Sequence, residues 1–258
     1  MKIATWNVNS VKARTQHLLD WVQLAEPDVV LLQELKCQDE AFPRLEVESL
    51  GYHVSTKGQK TYNGVAVLSR MPHDVIIDHL PGEDTDEQAR YLEVALEGMD
   101  LRVASLYLPN GNPIGTEKFS YKLRWMERLK ARAEDLLANE IPFVLGGDYN
   151  VAPTEGDVYD PEDVASDALV QPETREAWRR LLWLGLTDAF RATTSEVGQF
   201  SWWDYRGGGW QKDRGMLIDH LLLSPQAADL LEGAGVDRRP RGWEKASDHT
   251  PVWCALKG

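Results

Sequence analysis

Residues 142–157 read PFVLGGDYNVAPTEGD. Phe143, Val144 and Leu145 form a continuous apolar run, as in a strand buried on both faces, which passes through Gly146 and Gly147 to deliver Asp148 and Asn150. The two glycines leave room for close approach at the strand end. An Asx turn also places acids and amides after a strand, so the ending carries weight only if it recurs. It does. Asn7 and Asn9 close MKIATWNVN, Gln33 and Glu34 close PDVVLLQEL, and Tyr107 and Asn110 follow LRVASL. Asp219 and His220 open DHLLLS, and Asp248 and His249 precede TPVWCALK. Catalytic groups gather in this way at one edge of a rigid sheet.

Further strands are expected at NGVAVLSR, YLEVALEG and FSWWDY. Helical patterns lie between the strands. Ser10 is a candidate cap for a helix carrying Leu18, Leu19, Val22 and Ala25 and ended by Pro27. A long helix is predicted over 116–139, with Leu123, Met126, Leu129, Ala133, Leu136 and Leu137 in phase. Another is predicted from about residue 173 to 184, stopped by Gly185. Strands and helices mixed over this length imply two sheets packed together with helices outside.

The chain has 258 residues, 43% of them hydrophobic, with ten tryptophans, enough for a sizeable core. No linker, low-complexity tract or short repeat divides it, so one domain over 1–258 is the simplest partition. No apolar run approaches the roughly 18–20 residues that span a bilayer. MKIATWNVNS lacks the basic and apolar regions of a signal peptide, and Cys37 and Cys254 stand alone, outside any C-x-x-C spacing. The expectation is a soluble cytoplasmic protein with reduced thiols and no membrane partner. A net charge of −13 argues against broad charge-driven affinity for nucleic acid, while a local basic groove or a carboxylate-held cation stays compatible with it.

No G-x-S-x-G elbow, P-loop or dinucleotide fingerprint is present. The strand ends offer carboxylates, carboxamides, a tyrosine and a histidine. Oxygen-rich sets of this kind suit hard cations such as Mg²⁺ or Mn²⁺. With a histidine donor nearby they fit in-line attack of water on a phosphate ester.

Taken in order, ATWNVNS, LQELK, NGVAVLSR, YLPNG, GGDYNVAPT, FSWWDYR, RGMLIDHLLLS and SDHTPVW cover nearly the whole chain. Together they resemble the exonuclease III branch of apurinic/apyrimidinic endonucleases, within the deoxyribonuclease I-like endonuclease/exonuclease/phosphatase superfamily. The resemblance implies a four-layer α/β sandwich, two mixed β-sheets face to face with helices outside. It implies a monomer acting on double-stranded DNA, at abasic sites or 3′ ends, with Mg²⁺ or Mn²⁺ as cofactor. Glu34 is then the main metal ligand, with Asn7 and Asp248 beside it as ligands or as partners of the ligand. Asp148 activates water, Asn150 donates to the phosphate and fixes Asp148, and His249 contacts the scissile phosphate with Asp219 behind it. Tyr107 contacts the phosphate or assists the leaving oxygen. Arg90 and Asn110 match positions that grip the DNA backbone, and Trp202, Met216 and Ile218 match an apolar slot for a flipped abasic sugar. His17 and His220 match no catalytic position and are read as structural.

Leu35 replaces the threonine usual in the resembled pattern, and residues 155–173, EGDVYDPEDVASDALVQPE, are acidic where relatives approach DNA. The glycine-rich YRGGGWQKDRG, residues 205–215, reads as a loop able to bring Arg206, Trp210 and Lys212 to DNA. Rival readings are a superfamily phosphatase on phosphoinositides or sphingomyelin, a DNA-binding module without activity, and a 3′ exonuclease or 3′-phosphatase weak on abasic sites.

Overall fold

In the computed structural model, which describes residues 1–258, the chain opens with β1 (Lys2–Asn7), α1 (Thr15–Ala25), β2 (Val29–Gln33), α2 (Arg44–Glu48), β3 (His53–Lys57) and β4 (Val65–Ser69). Next come β5 (His73–Ile77), β6 (Tyr91–Leu96), β7 (Arg102–Tyr107), α3 (Glu117–Ala138), β8 (Phe143–Asp148) and α4 (Pro172–Trp183). The last third holds β9 (Thr187–Asp188), α5 (Ala189–Thr193), β10 (Trp202–Trp203) and β11 (Gly215–Met216). It ends with β12 (Asp219–Leu223), α6 (Pro225–Ala228), β13 (Leu231–Val236) and β14 (Val252–Leu256).

Two six-stranded sheets result, ordered β13-β14-β1-β2-β4-β3 and β5-β6-β7-β8-β12-β9, with β10-β11 as a separate ribbon. Both sheets are mixed, because β1 runs parallel to β2 and β7 parallel to β8 while the other neighbours are antiparallel. Alternation along each strand builds the layers. In β1 and β2, Ile3, Val29 and Leu31 point to the second sheet and meet Val103, Val144 and Leu221. Ala4, Trp6, Val30 and Leu32 point the other way, onto Leu18, Trp21 and Val22 of α1. On the far side, Leu106 and Leu145 pack against Trp125, Met126 and Leu129 of α3 and Trp178 and Leu181 of α4. This is the four-layer sandwich that the sequence implied.

The glycines of β8 serve this packing. A Cβ on Gly146 would lie 2.5 Å from both Leu31 and Leu221, and one on Gly147 would lie 1.9 Å from the Leu106 carbonyl oxygen. The close approach they permit is therefore sheet on sheet and strand on strand, within the core.

Helix boundaries follow the sequence with one exception. The long helix spans Glu117–Ala138 and the later one Pro172–Trp183, with proline at its first turn. Ser10 does not cap α1, which begins at Thr15 after a short 3₁₀ turn at Lys12–Arg14; the Ser10 hydroxyl only accepts a 3.4 Å bond from the Ala13 amide.

Register carries the catalytic-type residues to one edge. In the parallel pairs Asn7 lies beside Gln33, and Tyr107 beside Asp148. β12 runs antiparallel to β8 with Asp219 opposite Asp148. β14 pairs Val252 with Thr5, so the preceding Asp248 and His249 run past the end of β1.

Candidate active site

Glu34 follows β2 with φ +52°, Asn9 follows β1 with φ +44° and Asn150 follows β8 with φ +49°. Asparagine tolerates this left-handed region, whereas for glutamate it costs roughly 1–2 kcal/mol. Such outliers cluster where a side chain must be aimed. Here Glu34 and Asn150 line one cleft of about 370 Å³, whose walls also include Tyr107, Asp148, Trp202, Asp248 and His249, and Asn9 bonds to Asp248 in that wall.

The floor of the cleft is a line of buried groups. Asp219 Oδ2 is 2.8 Å from His249 Nδ1, and His249 Nε2 is 3.6 Å from Asp148 Oδ2. Ser201 Oγ donates to Asp219 Oδ2 at 2.6 Å and accepts the Ile218 and Asp219 amides at 3.1 Å. Burial alone would lower the His249 pKa, but the charges of Asp219 and Asp148 outweigh it and raise it well above the ordinary imidazole value. Burial raises the Asp148 pKa above the usual carboxylate range, against the opposing charge of His249. The Asn150 amide fixes Asp148 Oδ1 at 2.9 Å.

Across the cleft, Asn7 Nδ2 bridges Glu34 Oε1 and Asp148 Oδ2, at 3.0 Å from each. Its carbonyl oxygen accepts the Asn9 amide at 3.0 Å, so Asn7 offers the cleft its N–H groups. Tyr107 donates to Glu34 Oε1 at 2.8 Å. Burial, with the charges of Glu34 and Asp148, pushes the Tyr107 hydroxyl well above the usual phenol pKa, so it remains a neutral donor. Burial also works to raise the Glu34 pKa, but bonds from Asn7 and Lys36 prevail and hold it below its usual value.

Lys36 Nζ lies 2.8 Å from Glu34 Oε2 and 2.5 Å from Asn9 Oδ1. Asn9 Nδ2 in turn donates to Asp248 Oδ1 at 2.9 Å, and Trp202 Nε1 to Asp248 Oδ2 at 3.1 Å. A positive charge is thus already seated among carboxylate and carboxamide oxygens, and this donor set fits a hard divalent cation. Asp148, Asp219 and His249 also bring one ligand atom each within 4.8 Å of one another. Their facing atoms are joined through the imidazole, which makes them a proton-holding line first.

The residues expected to meet DNA divide between the surface around the cleft and a buried apolar cluster. Arg90 lies over the Tyr107 ring at 4.7 Å and donates to the Tyr107 carbonyl at 3.1 Å, so it braces that residue. Asn110 is exposed and donates to Asn150 Oδ1 at 3.1 Å, while Asn150 Nδ2 gives one N–H to the Leu108 carbonyl at 2.8 Å. Met216 and Ile218 are buried with Ala152, Val158, Val164 and Leu169 in an apolar cluster beside Trp202.

That cluster also explains the acidic stretch. Residues 155–173 are anchored through Val158, Val164 and Leu169, and Asp157 is buried against Arg191. Asp167 accepts from Asn112 at 2.9 Å and, with Asp204 and Arg206, lines the cleft. Sequence reasoning missed Asn112, Asp167 and Leu169 as lining residues, and Lys36 and Ser201 as partners. Their only local signal was closeness to motif positions.

The profile of the Endonuclease/Exonuclease/phosphatase family matches residues 4–249. The chain belongs to this family. Among family relatives, it is similar to the protein named exodeoxyribonuclease III of Haemophilus influenzae, 35% identical over 268 residues that span all of both chains. In structure it is similar to a form of the 3′ phosphatase NExo from Neisseria bound to product DNA hairpin, with TM-score 0.96, 37% identity and all of both chains covered. It is also similar to an AP endonuclease from Archaeoglobus fulgidus, with TM-score 0.94 and 33% identity, again over all of both chains.

Proposed function

We propose that this chain is a metal-dependent DNA repair phosphodiesterase. It incises 5′ to an abasic site, leaving a 3′-hydroxyl and a 5′-deoxyribose phosphate, and uses the same site for 3′→5′ exonuclease and 3′-phosphatase activity. The observation that carries this reading is the buried Asp219–His249–Asp148 line, joined through Asn7 to Glu34 at one cleft.

Glu34 and Asp248, with Asn7 beside them, would hold Mg²⁺ or Mn²⁺, which supplies Lewis-acid polarisation of the phosphoryl oxygens. Asp148 orients the attacking water and draws off its proton; its raised pKa makes it a stronger base than an ordinary carboxylate. His249 stays an imidazolium because of Asp219 and directs Nε2–H at a non-bridging oxygen, offsetting charge as the water oxygen bonds to phosphorus. The bond from phosphorus to the 3′ oxygen then breaks, and that oxygen takes a proton from solvent to become the 3′-hydroxyl. Tyr107 serves as a neutral hydrogen-bond donor at the phosphate, and Asn150 adds its second N–H. Trp202, Met216 and Ile218 form the slot for the sugar. An abasic nucleotide enters it at low cost because it has no base to unstack. Arg90 and Asn110 meet the backbone of double-stranded DNA at the rim, and the protein acts as a monomer. No helix is long and apolar enough to cross a membrane.

A second reading, a 3′ exonuclease or 3′-phosphatase weak on abasic sites, is favoured by Asp167 and Asp204 in the cleft wall. Carboxylates there oppose the further phosphates of a continuous strand more than a strand end. Three duplexes decide between the readings when assayed with and without EDTA: one abasic analogue, one recessed 3′ end and one 3′-phosphate. Turnover of all three, abolished by EDTA and restored by Mg²⁺ or Mn²⁺, is expected. EDTA-sensitive turnover of the last two alone selects the second reading, and EDTA-resistant turnover overturns both.

A further inference from the structure

Asn150 and Val151 turn sharply away from β8, and two buried bases hold their backbone from behind the cleft. Lys122 of α3 is fully buried, and its Nζ makes no bond to a carboxylate. Its Nζ instead donates to three carbonyl oxygens, those of Asn150 at 2.6 Å, Asn110 at 3.2 Å and Pro109 at 3.3 Å. His220 of β12, also buried, has Nε2 2.9 Å from the next carbonyl, that of Val151. The His220 ring packs against Trp178 at 4.5 Å and Tyr149 at 5.7 Å, and Nδ1 stands 3.4 Å from Asp188 Oδ2. That contact is long for a hydrogen bond, and Asp188 Oδ1 is engaged with the Phe190 and Arg191 amides at the start of α5.

We infer that Lys122 and His220 are positioning residues for hydrolysis, gripping the consecutive carbonyls of Asn150 and Val151 so that the Asn150 amide holds Asp148 in line and the Asn150 side chain faces the phosphate.

Three points support this. Asn150 lies at φ +49°, which turns its carbonyl out of the strand direction and toward Lys122. Burying an ammonium that makes no carboxylate bond is unfavourable, and burial pulls the Lys122 pKa down to about 7 even though the charges of Asp148 and Asp167 work to raise it. An apolar side chain would fill the same space without that penalty, so the N–H donors are what the position retains. Lys122 also ties the Asn110 carbonyl to that of Asn150, and the Asn110 and Asn150 side chains are themselves bonded at 3.1 Å. One ammonium therefore sets the spacing of two loops that meet at the phosphate.

The inference rests on the function proposed above, so its test has an arm that does not need turnover. Lys122→Met removes the donors at similar length, His220→Leu removes the imidazole donor, and His220→Gln keeps an N–H near the place of Nε2. Each folded variant is compared with wild type for single-turnover rate and KM on whichever duplex wild type cleaves. Independently, hydrogen exchange of the Asn150 backbone and side-chain amides is followed by NMR. Lys122→Met and His220→Leu should each lower the rate ~10- to 100-fold, the scale of a small misplacement of reacting groups. KM should stay within about twofold of wild type and Asn150 should lose exchange protection, while His220→Gln restores most of both. If Lys122→Met does not fold, the two His220 variants carry the test alone. Unchanged rates and unchanged Asn150 protection in the folded variants would overturn the inference, whereas lost protection in a protein that cleaves none of the duplexes would overturn the assigned function and leave the positioning intact.

Discussion

Asp148→Asn lowers the single-turnover rate on an abasic duplex ~10³- to 10⁴-fold, the range expected when a general base is removed. Binding of the same duplex stays within about threefold, because the substitution deletes no donor to DNA and removes a negative charge near the phosphate. Asp148 is the one carboxylate at the meeting point of the Asn150 amide, the Asn7 carboxamide and His249 Nε2. An asparagine there still accepts from the Asn150 amide but cannot take a proton from water. The pH dependence has a defined sign. Burial raises the Asp148 pKa, so the active carboxylate is lost as pH falls, and the acid limb lies above the ordinary aspartate value of about 3.9. Stopped-flow cleavage and fluorescence anisotropy on the same oligonucleotide separate the two effects. A variant turning over within about tenfold of wild type would remove Asp148 from the role of base.

Asp219→Asn costs ~10²- to 10⁴-fold, again mainly in rate, by changing the charge state of a neighbour. Asp219 is fully buried and reaches the reaction through His249 Nδ1. An asparagine oxygen can still accept from Nδ1–H, so the ring orientation survives while the compensating charge disappears. The His249 pKa is raised by Asp219 ahead of Asp148, and in the variant it falls toward the ordinary imidazole value of about 6.5. The alkaline limb of the rate–pH profile therefore moves down toward the acid limb set by Asp148, and the active pH range narrows. An unmoved limb with a near-normal rate would make Asp219 a structural acid.

What the sequence made legible follows from burial. The nine strand runs read from it include the interior members of both sheets, β14, β1, β2 and β4 in one and β6, β7, β8 and β12 in the other. Strands covered on both faces are continuously apolar and announce themselves. The edges β3, β13, β5 and β9 were not read, because HVSTK, LEGAGV, HDVII and the two-residue TD carry polar or glycine positions that an edge tolerates. Glu34, Tyr107, Asp148, Asn150, Asp219 and His249 were legible for the same reason, since each lies at or just beyond the end of a readable interior strand. Their hydrogen-bond partners were not. Ser201 lies 18 residues from Asp219 and Lys122 lies 28 from Asn150, and only the packing of α3 and the β10–β11 ribbon brings them together. Lys122 shows the limit of periodicity: the predicted stripe used Leu123, which is half-buried, while its charged neighbour is the residue that points inward.

Hydrolysis at phosphorus is the centre of this account, and cleaving an abasic duplex in ¹⁸O-labelled water under single-turnover conditions with Mg²⁺ tests it most directly. If Asp148 directs water in line, mass spectrometry finds one ¹⁸O in the new 5′-phosphate and none in the 3′-hydroxyl of the upstream fragment. An unlabelled 5′-phosphate, or an unsaturated sugar at the nick, would mean that the strand is broken at carbon and that this cleft does not activate water against phosphorus.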